Sequence, residues 1–541
     1  MNTKFLLKNI SVAIVAAGLA ACGGGSSSSG GGNATTGNTG NTGNTGGDGS
    51  SASSANLSSN PAFAFDNTDY AGAVKSGSNN WWDFAIAGTV PANPETTPYA
   101  AAAGAGSAGF DSNTNFGDIN YSAAAITPAA ECPAAEDPNY SIVDSNTTYD
   151  MDGKTFKVCN VTGSILKDET FSNDVVWALS GRVNVGNGNR ELVAGDSVVK
   201  DVTLTVEPGT VFRSKKGASL VVTRGAEIQA VGSAAQPIIM WAEGDDDFND
   251  RGDWGGLVLQ GYAYNNNCGN PANQTHCNLS GEGASGYFGG FDNSDSSGTL
   301  KYVVVAEAGS ELSNGDELNG VGFMGVGYGT TVDYVQVHQN DDDGVEFFGG
   351  AVDAKHLVLT SNKDDDIDWD EGYVGNIQYG VIVKTSSKSG TRHAFELDTK
   401  GDAYESAYQE SNPTVANVTA LSLLADTEVV DAADKMIAGD AIHLKEGSEG
   451  RFFNILLLGD FNNCVKIKDI TNYTTAAKAN ASFVNVYGDC MNELSIPASF
   501  ALDDVNFAAA YNGVDAQTAE TNVPALTAAT ITSAEVDGSA N

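Results

Sequence analysis

A repeat of 23 residues constrains the fold of this chain more than any other feature. Val335 is followed by Val358 after 23 residues and by Val381 after another 23, and each valine lies in a short apolar run. Acidic turns repeat at the same interval, because Asp341-Asp342-Asp343 recurs as Asp364-Asp365-Asp366. A period in the low twenties made only of strands and turns corresponds to one rung of a solenoid. We therefore predict an all-β fold, a right-handed parallel β-helix, in which Val335, Val358 and Val381 form one inward column.

Short apolar runs between polar turns support this prediction from about residue 200 onward. Examples are YVVV at residues 302–305 and FNILLL at 453–458. Many of these runs do not alternate strictly between apolar and polar residues, which is typical of parallel strands. The Leu and Asn pattern of leucine-rich repeats is absent, so that solenoid is excluded. A β-sandwich or a propeller is the alternative architecture.

Several segments resemble the opening rungs of a large family of bacterial surface β-helix lipoproteins. The segments are LTVEPGTV at 204–211, LVVTRGAEI at 220–228, GSAAQPI at 232–238, WGGLVL at 254–259, DGVEFFGG at 343–350 and DIDWDEG at 366–372. The resemblance covers residues 200–385 well and the rest loosely. It implies a fold like that of pectate lyases and an association with outer-membrane receptors, but no settled activity.

The first 22 residues have the features of an export signal. Lys4 and Lys8 precede an apolar run, residues 10–19, that is too short to span a bilayer as a helix. The sequence Leu19-Ala20-Ala21-Cys22 resembles the bacterial lipobox, which implies cleavage before Cys22 and a lipid on its sulfur. Gly23, by resemblance to sorted lipoproteins, favours the outer membrane, and the resemblance to surface lipoproteins implies that the protein faces the cell exterior. The alternative is an ordinary secretory signal with a chance cysteine.

The remaining chain divides by composition into four parts. Residues 23–56 are rich in Gly, Ser, Thr and Asn and should form a flexible linker. Residues 57–199 are expected to form an irregular N-terminal layer or cap, residues 200–499 the parallel β-helix, and residues 500–541 a C-terminal cap and tail. No segment after the signal is long and apolar enough to span a membrane, so the predicted membrane attachment is through the lipid alone.

The charge of the chain limits its partners. Sixty-eight acidic residues against 27 basic ones give a net charge of −41. This excludes nucleic acid and anionic lipid surfaces as partners, because phosphates are bound by Lys and Arg. An outer-membrane receptor or an extracellular polymer remains as the expected partner, and a passive adhesion or coat protein needs no site at all.

Six cysteines remain once Cys22 is set aside, and they fall in neighbouring pairs. The pairs are Cys132 with Cys159, Cys268 with Cys277, and Cys464 with Cys490. Export makes disulfides reasonable, and we predict this sequential pairing among the fifteen connectivities that six cysteines allow. A zinc site formed by Cys268, His276 and Cys277 is the weaker alternative, since it lacks the usual spacing and a fourth ligand.

Residues 340–371 contain eleven acidic residues and only two lysines. If one repeat is one rung, the two Asp triplets stack about 4.8 Å apart, where like charges repel unless they are protonated or bridged by a cation. Calcium takes six to eight oxygen ligands and is the natural bridge. The predicted calcium ligands are Asp341, Asp342, Asp343, Asp364, Asp365, Asp366, Asp368 and Asp370. The alternative is a solvated acidic turn without metal.

The same acids allow a catalytic interpretation. Asn340-Asp341-Asp342 and Asp364-Asp365 resemble motifs of polygalacturonase-type β-helix hydrolases, which implies Asp342, Asp364 and Asp365 as catalytic acids. That family's Gly-His-Gly and Arg-Ile-Lys segments are missing. A pectate-lyase-like elimination would need calcium and a base such as Arg392 or Lys384. The five histidines show no pair at metal-ligand spacing and are expected on the surface or in the core. The leading hypothesis is therefore a non-enzymatic, calcium-supported β-helix that binds a ligand or partner.

Overall fold

A computed structural model describes most of the chain between residues 63 and 507. The described residues are 63–75, 78–94, 114–193, 196, 202–244, 246–270, 272, 276–311, 317–385, 393–399, 409–423, 439–468, 481–490, 492–495 and 506–507. The signal with Cys22, the linker at 23–56 and nearly all of residues 500–541 lie outside the described part.

Strands dominate the described residues, and helix occurs there only as short 3-10 turns. The strands are β1 Tyr140–Met151, β2 Lys154–Ile165, β3 Glu169–Phe171, β4 Val176–Val185, β5 Val202–Val206, β6 Val211–Ser214, β7 Ser219–Val222, β8 Ala226–Val231, β9 Ile238–Ala242, β10 Gly256–Gln260, β11 Leu279–Gly281, β12 Gly286–Phe288, β13 Gly298–Ala306, β14 Val321–Met324, β15 Thr331–His338, β16 Val345–Phe348, β17 Asp353–Thr360, β18 Ile367–Asp370, β19 Asn376–Lys384, β20 Phe395–Leu397, β21 Thr414–Ser422, β22 Ile442–Leu444, β23 Arg451–Gly459, β24 Asn463–Ile467, β25 Ser482–Asp489, β26 Asn492–Ser495 and β27 Asn506–Phe507. The 3-10 turns are Phe116–Asp118, Asn266–Cys268 and Glu282–Ala284. Within the described ranges we find no helix with the length and apolar character needed to cross a membrane.

The strands stack in parallel, which confirms the predicted β-helix. From β13 onward each rung contributes one long bent strand and one short strand, whereas in the preceding rungs two shorter strands, such as β8 and β9, take the place of the long one. The long strands β13, β15, β17, β19, β21, β23 and β25 pair in that order. The short strands β7, β10, β14, β16, β18, β20, β22, β24 and β26 form a second stack. Parallel pairing begins before residue 200, between β2 and β4, and β1 covers the edge of β2 as an antiparallel strand.

The predicted column of Val335, Val358 and Val381 is wrong by one position. Val358 does pair with Val381, but Val335 pairs with Leu357, and Gln336 occupies the position above Val358. The rung from β15 to β17 spans 22 residues and the next one 23, so the sequence interval does not match the register. Val335 therefore packs inside the β-helix, whereas Val358 and Val381 pack on its outer side.

Each long strand bends at one residue with positive φ. In the first four strands this residue is Tyr302, Tyr334, His356 or Tyr379. Their rings stack with centroid distances of 4.5, 4.1 and 4.8 Å. In the next three strands it is Asn417, Asn454 or Asn485. Asparagine tolerates the left-handed region better than most residues, and the aromatic positions gain stacking energy in return.

The N-terminal segment lies along the side of the β-helix. Phe84 is fully buried and meets the rings of Tyr302 and Tyr334 edge-on, with centroids 5.7 and 5.9 Å away. The backbone N–H of Ile86 donates to Oε1 of Gln336 at 2.8 Å. This layer buries the outer side of the long strands, including Val358.

Three disulfides join the cysteines in the predicted sequential order. Cys132–Cys159 ties the segment before β1 to β2, and Cys464–Cys490 ties β24 to the end of β25. Cys268–Cys277 closes a loop between β10 and β11. The alternative zinc site at Cys268 and Cys277 is thereby excluded.

Candidate functional site

One register position of the short strands points outward, and in five successive strands the residue there is acidic, basic or histidine. These residues are Glu346, Asp368, Glu396, His443 and Lys466, at one register position in β16, β18, β20, β22 and β24. We name them the outer ladder. Their neighbours in sequence, such as Ile367 and Trp369, are fully buried in the interior. Adjacent ladder positions lie on neighbouring strands, so the charge changes from negative to positive along the face.

Four aspartates in the turns before β16 and β18 lie beside the acidic half of the ladder. Because Val345 pairs with Ile367, Asp342 lies above Asp364 and Asp343 above Asp365. Oδ1 of Asp343 accepts a hydrogen bond of 2.9 Å from the backbone N–H of Asp365. The two Asp triplets therefore stack as predicted, but shifted by one position.

The turn aspartates and the ladder together form a cluster of seven carboxylates. Three overlapping groups each have ligand oxygens within 4.8 Å of one another: Asp342, Asp343 and Asp364; Asp343, Glu346 and Asp368; and Asp365, Asp368 and Glu396. We name these seven residues the carboxylate cluster. The sequence predicted five of them as metal ligands and missed Glu346 and Glu396.

Burial makes this cluster costly when it is fully ionised. Burial is the largest cause that raises the pKa values of Asp343, Glu346, Asp365 and Asp368 well above their ordinary range, and the neighbouring carboxylates raise them further. Burial and Asp364 raise the pKa of Asp342 to about 7. A carboxylate that cannot be solvated either keeps its proton or needs a cation close by. A cation that binds the cluster would therefore displace these protons into solvent.

Three of the predicted ligands lie outside the three carboxylate groups. Asp341 forms an ion pair of 3.0 Å with Lys363. The 23-residue repeat predicted Asp364 beside Asp341, but the register of 22 residues places Lys363 there. Asp366 is fully buried and its Oδ2 lies 3.0 Å from Nζ of Lys384. Asp370 lies beside Asp398, whose pKa is raised to about 10 by burial and by its hydrogen bond with Asp370.

The residues proposed for hydrolysis or elimination are poorly placed for those reactions. Asp365 is only 2% exposed, and its carboxylate accepts the backbone N–H of His393. Lys384 is buried and paired with Asp366, so it offers no free base. Arg392 lies outside the described residues. Asp342 and Asp364 are partly exposed, but they belong to one tight cluster rather than to two separated carboxylates.

Two histidines that the sequence spacing does not pair lie against each other in the structure. Nδ1 of His443 lies 2.8 Å from Nε2 of His393, and Oε1 of Glu396 lies 3.8 and 3.6 Å from those two atoms. The residues are 50 positions apart in sequence but occupy consecutive rungs. An apolar–charged–apolar pattern could have identified the ladder, because Val-Glu-Phe, Ile-Asp-Trp, Phe-Glu-Leu, Ile-His-Leu and Val-Lys-Ile recur at 345–347, 367–369, 395–397, 442–444 and 465–467.

A comparison with family models agrees with this architecture. The model of a family described as "Pectate-lyase like beta helix domain" matches residues 179–534. Among solved structures, the crystal structure of pectate lyase Pel9A is similar, with 10% sequence identity, 63% of this chain and 72% of that chain covered, and a TM-score of 0.30. No curated protein sequence matches the chain. At this level of structural likeness no site residue can be carried across.

Proposed function

We propose, for a chain that belongs to the pectate-lyase-like β-helix family, that the carboxylate cluster binds calcium and that the calcium-loaded face binds an acidic polysaccharide outside the cell. The observation that carries this proposal is the convergence of three carboxylate groups with oxygens within 4.8 Å. The family description by itself supports only the fold and a general relation to polysaccharides.

Calcium fits this cluster better than other common cations. Every ligand in the three groups is a carboxylate oxygen, and calcium prefers six to eight oxygens in flexible geometry. Magnesium keeps most of its water and rarely takes a site made only of protein oxygens. Calcium would replace the protons that burial now holds on Asp342 and its neighbours.

The position of the cluster also suggests the ligand. Calcium bound at a partly exposed edge retains coordination positions that carboxylates of a polymer can occupy. Farther along the same face lie Lys445, which follows β22, and Lys466 of the ladder. An extended polymer with repeating negative charges would meet first the cation and then these lysines. Without calcium, a chain of net charge −41 repels such a polymer, so binding should depend on the cation.

Binding is favoured over cleavage by the state of the lysines. Elimination needs a base with a free lone pair, and a buried or shielded lysine serves only when its pKa is lowered. In the described residues of this face, Lys363, Lys384, Lys445 and Lys466 each form an ion pair with a carboxylate. Burial, the largest single cause, lowers the pKa of Lys445. Its carboxylate neighbours together raise it by more, so the pKa of Lys445 is raised overall.

The test is sedimentation of the protein with insoluble pectate in calcium or in chelator. We expect retention in calcium, loss of retention in chelator, and at least a tenfold weaker retention for the Asp342→Asn and Asp368→Asn variants. Asp83→Asn, an exposed aspartate outside the cluster, is the matched control. Equal retention in chelator would overturn the proposal. If the same samples show the ultraviolet absorbance of unsaturated uronates, the chain catalyses elimination, and catalysis replaces binding as the proposed function.

We also propose that the chain is held at the outer membrane through a lipid on Cys22 and faces the cell exterior. The support is the lipobox-like segment and the polar linker at 23–56. The Cys22→Ser variant should move from the membrane fraction to the soluble fraction, and a variant that still sediments with membranes would contradict the anchor. An outer-membrane receptor is the second candidate partner, and crosslinking on intact cells would detect it.

A further inference from the structure

We propose that His393, Glu396 and His443 bind a divalent transition-metal ion, with zinc as the best match. This goes beyond the proposed calcium function, because two of the three ligands are histidines outside the carboxylate cluster and the class of metal differs, while Glu396 belongs to both sets of ligands. His393 precedes β20, Glu396 lies in β20 and His443 lies in β22. The β-helix therefore brings the three side chains together from two consecutive rungs.

The distances between the ligand atoms fit a small tetrahedral ion. Nε2 of His393, Nδ1 of His443 and Oε1 of Glu396 are separated by 2.8, 3.6 and 3.8 Å. Zinc bonds of about 2.0–2.1 Å in tetrahedral geometry place ligand atoms about 3.4 Å apart. Small shifts of the two rings would equalise the three separations. Three protein ligands leave a fourth position for water or an outside ligand, as in catalytic zinc sites.

The two histidine ligands distinguish this site from the calcium cluster, with which it shares Glu396. Imidazole nitrogen suits zinc, copper, nickel and cobalt, whereas calcium prefers oxygen alone. Burial, the largest cause, lowers the pKa values of both histidines to about 4, so the rings are neutral near pH 7. Neutral rings are the form that binds metal without first losing a cationic proton.

The surrounding groups hold the ligands in place. Nζ of Lys445 lies 3.0 Å from Oε2 of Glu396, which leaves Oε1 to face the two rings. Oδ2 of Asp440 lies 3.7 Å from Nδ1 of His393 and 3.1 Å from Nζ of Lys466. A carboxylate near the second nitrogen of a ligating histidine is the usual outer-shell partner of a zinc site.

Metal binding requires a change of tautomer in His393. Without metal, the backbone N–H of Asp440 donates to Nδ1 of His393 at 2.8 Å, so Nε2 carries the proton and donates it to His443. A metal ion at Nε2 displaces that proton, and Nδ1 becomes the protonated nitrogen. For this, the backbone N–H of Asp440 has to turn away from Nδ1, and the Asp440 carboxylate, 3.7 Å from Nδ1 without metal, has to move closer and accept the hydrogen bond. The tautomer therefore reports occupancy of the site.

The test titrates the full chain with Zn²⁺ and with Co²⁺ in the presence of excess calcium. We expect one ion per chain, and visible d–d absorption of tetrahedral intensity for Co²⁺. His393→Ala and His443→Ala should each weaken binding at least a hundredfold, and Glu396→Gln about tenfold. His276→Ala is the matched control, since His276 lies in the loop between β10 and β11. His443→Gln keeps a side chain of similar size and gives the same test if an alanine variant fails to fold.

Ring ¹⁵N signals of the histidine-labelled chain provide the second measurement. Nδ1 of His393 should be unprotonated without metal and protonated with Zn²⁺. Unchanged affinity in both histidine variants, or no zinc binding by the native chain, would overturn the proposal and leave a hydrogen-bonded histidine pair. Asp342→Asn should lose calcium but keep zinc, so failure of this proposal and failure of the calcium proposal give different results.

Discussion

The buried ion pair beneath the cluster gives a quantitative test of the electrostatics. Asp366 and Lys384 are at most 1% exposed, and their charged atoms lie 3.0 Å apart. Burial, the largest cause, still raises the pKa of Asp366 from 3.8 to about 6. The Lys384→Met variant removes the cation and keeps a side chain of similar length. Nζ of Lys384 also donates to the backbone oxygens of Asn362 and Asp364, so both lose a donor.

The free energy of unfolding that Lys384→Met loses is expected to depend on pH. Between pH 3.8 and about 6 the folded chain holds a proton that the unfolded chain has lost, so stability falls as pH rises through this window. In Lys384→Met the loss of the lysine raises the pKa of Asp366 further, and the window extends upward. At pH 7 the extra cost is about 1.4 kcal/mol from the ionisation and about 1 kcal/mol for each orphaned carbonyl, or about 3 kcal/mol. Protonation of Asp366 keeps the loss near the lower end of the roughly 3–5 kcal/mol typical of a broken buried pair.

Urea unfolding in chelator, near pH 5.5 and near pH 8, measures this dependence. The difference in unfolding free energy between the native chain and Lys384→Met should grow from about 2 kcal/mol near pH 5.5 to about 4 kcal/mol near pH 8. Each pH unit adds about 1.4 kcal/mol until the pKa of Asp366 in the variant is reached. The double variant Lys384→Met with Asp366→Leu removes both charges, so it should lose the pH dependence and recover the ionisation part of the loss, about 1.4 kcal/mol at pH 7, but not the part due to the two carbonyls. A cost that is the same at both pH values would refute the reasoning.

Three further predictions concern the fold. Phe84→Ala should cost about 3–5 kcal/mol, because Phe84 is fully buried between the N-terminal layer and the long strands; urea unfolding tests this, and a loss below about 1 kcal/mol would contradict that packing. Replacing Cys132 and Cys159 by serine should lower the free energy of unfolding by about 3.5 kcal/mol, because the disulfide no longer closes a loop of 27 residues in the unfolded chain. An unchanged melting temperature would argue against the bond. Burial lowers the pKa of His338 to about 3, so the unfolded chain gains a proton below about pH 6.5 that the folded chain resists, and stability should fall as pH drops from 6.5 toward 3. His338→Gln should reduce that slope in urea midpoints, and an unchanged slope would assign it to other groups.

The fold could be predicted from sequence because the repeat is nearly regular where loops are short. The register could not, since the acidic triplets recur at 23 residues while β16 and β18 pair at 22. That one-residue difference places Lys363, rather than an aspartate, beside Asp341. A shift of one residue also exchanges the two faces of a strand, which is why Val335 points inward and Val358 outward.

The candidate site was predictable only in part for a related reason. The turn aspartates stand out as triplets, whereas Glu346 and Glu396 are single charges between apolar residues. His393 and His443 are separated by 50 residues because long connections interrupt the repeat after β20 and β21. Sequence spacing shows metal ligands when they lie on one turn or one helix, but here the rungs bring them together.

Calcium titration of the full chain tests the central claim most directly. The chain is first treated with chelator, and heat is then measured in two buffers of different ionisation enthalpy. We predict saturable binding with proton release near pH 7, because burial and neighbouring charges keep protons on Asp342 and the rest of the cluster. Stabilisation should follow, reaching about 2.7 kcal/mol at a calcium concentration one hundred times the dissociation constant. Asp342→Asn with Asp365→Asn should lose most of the binding and of the proton release. No saturable binding, and a melting temperature indifferent to chelator, would show that the cluster holds only protons and would contradict the account.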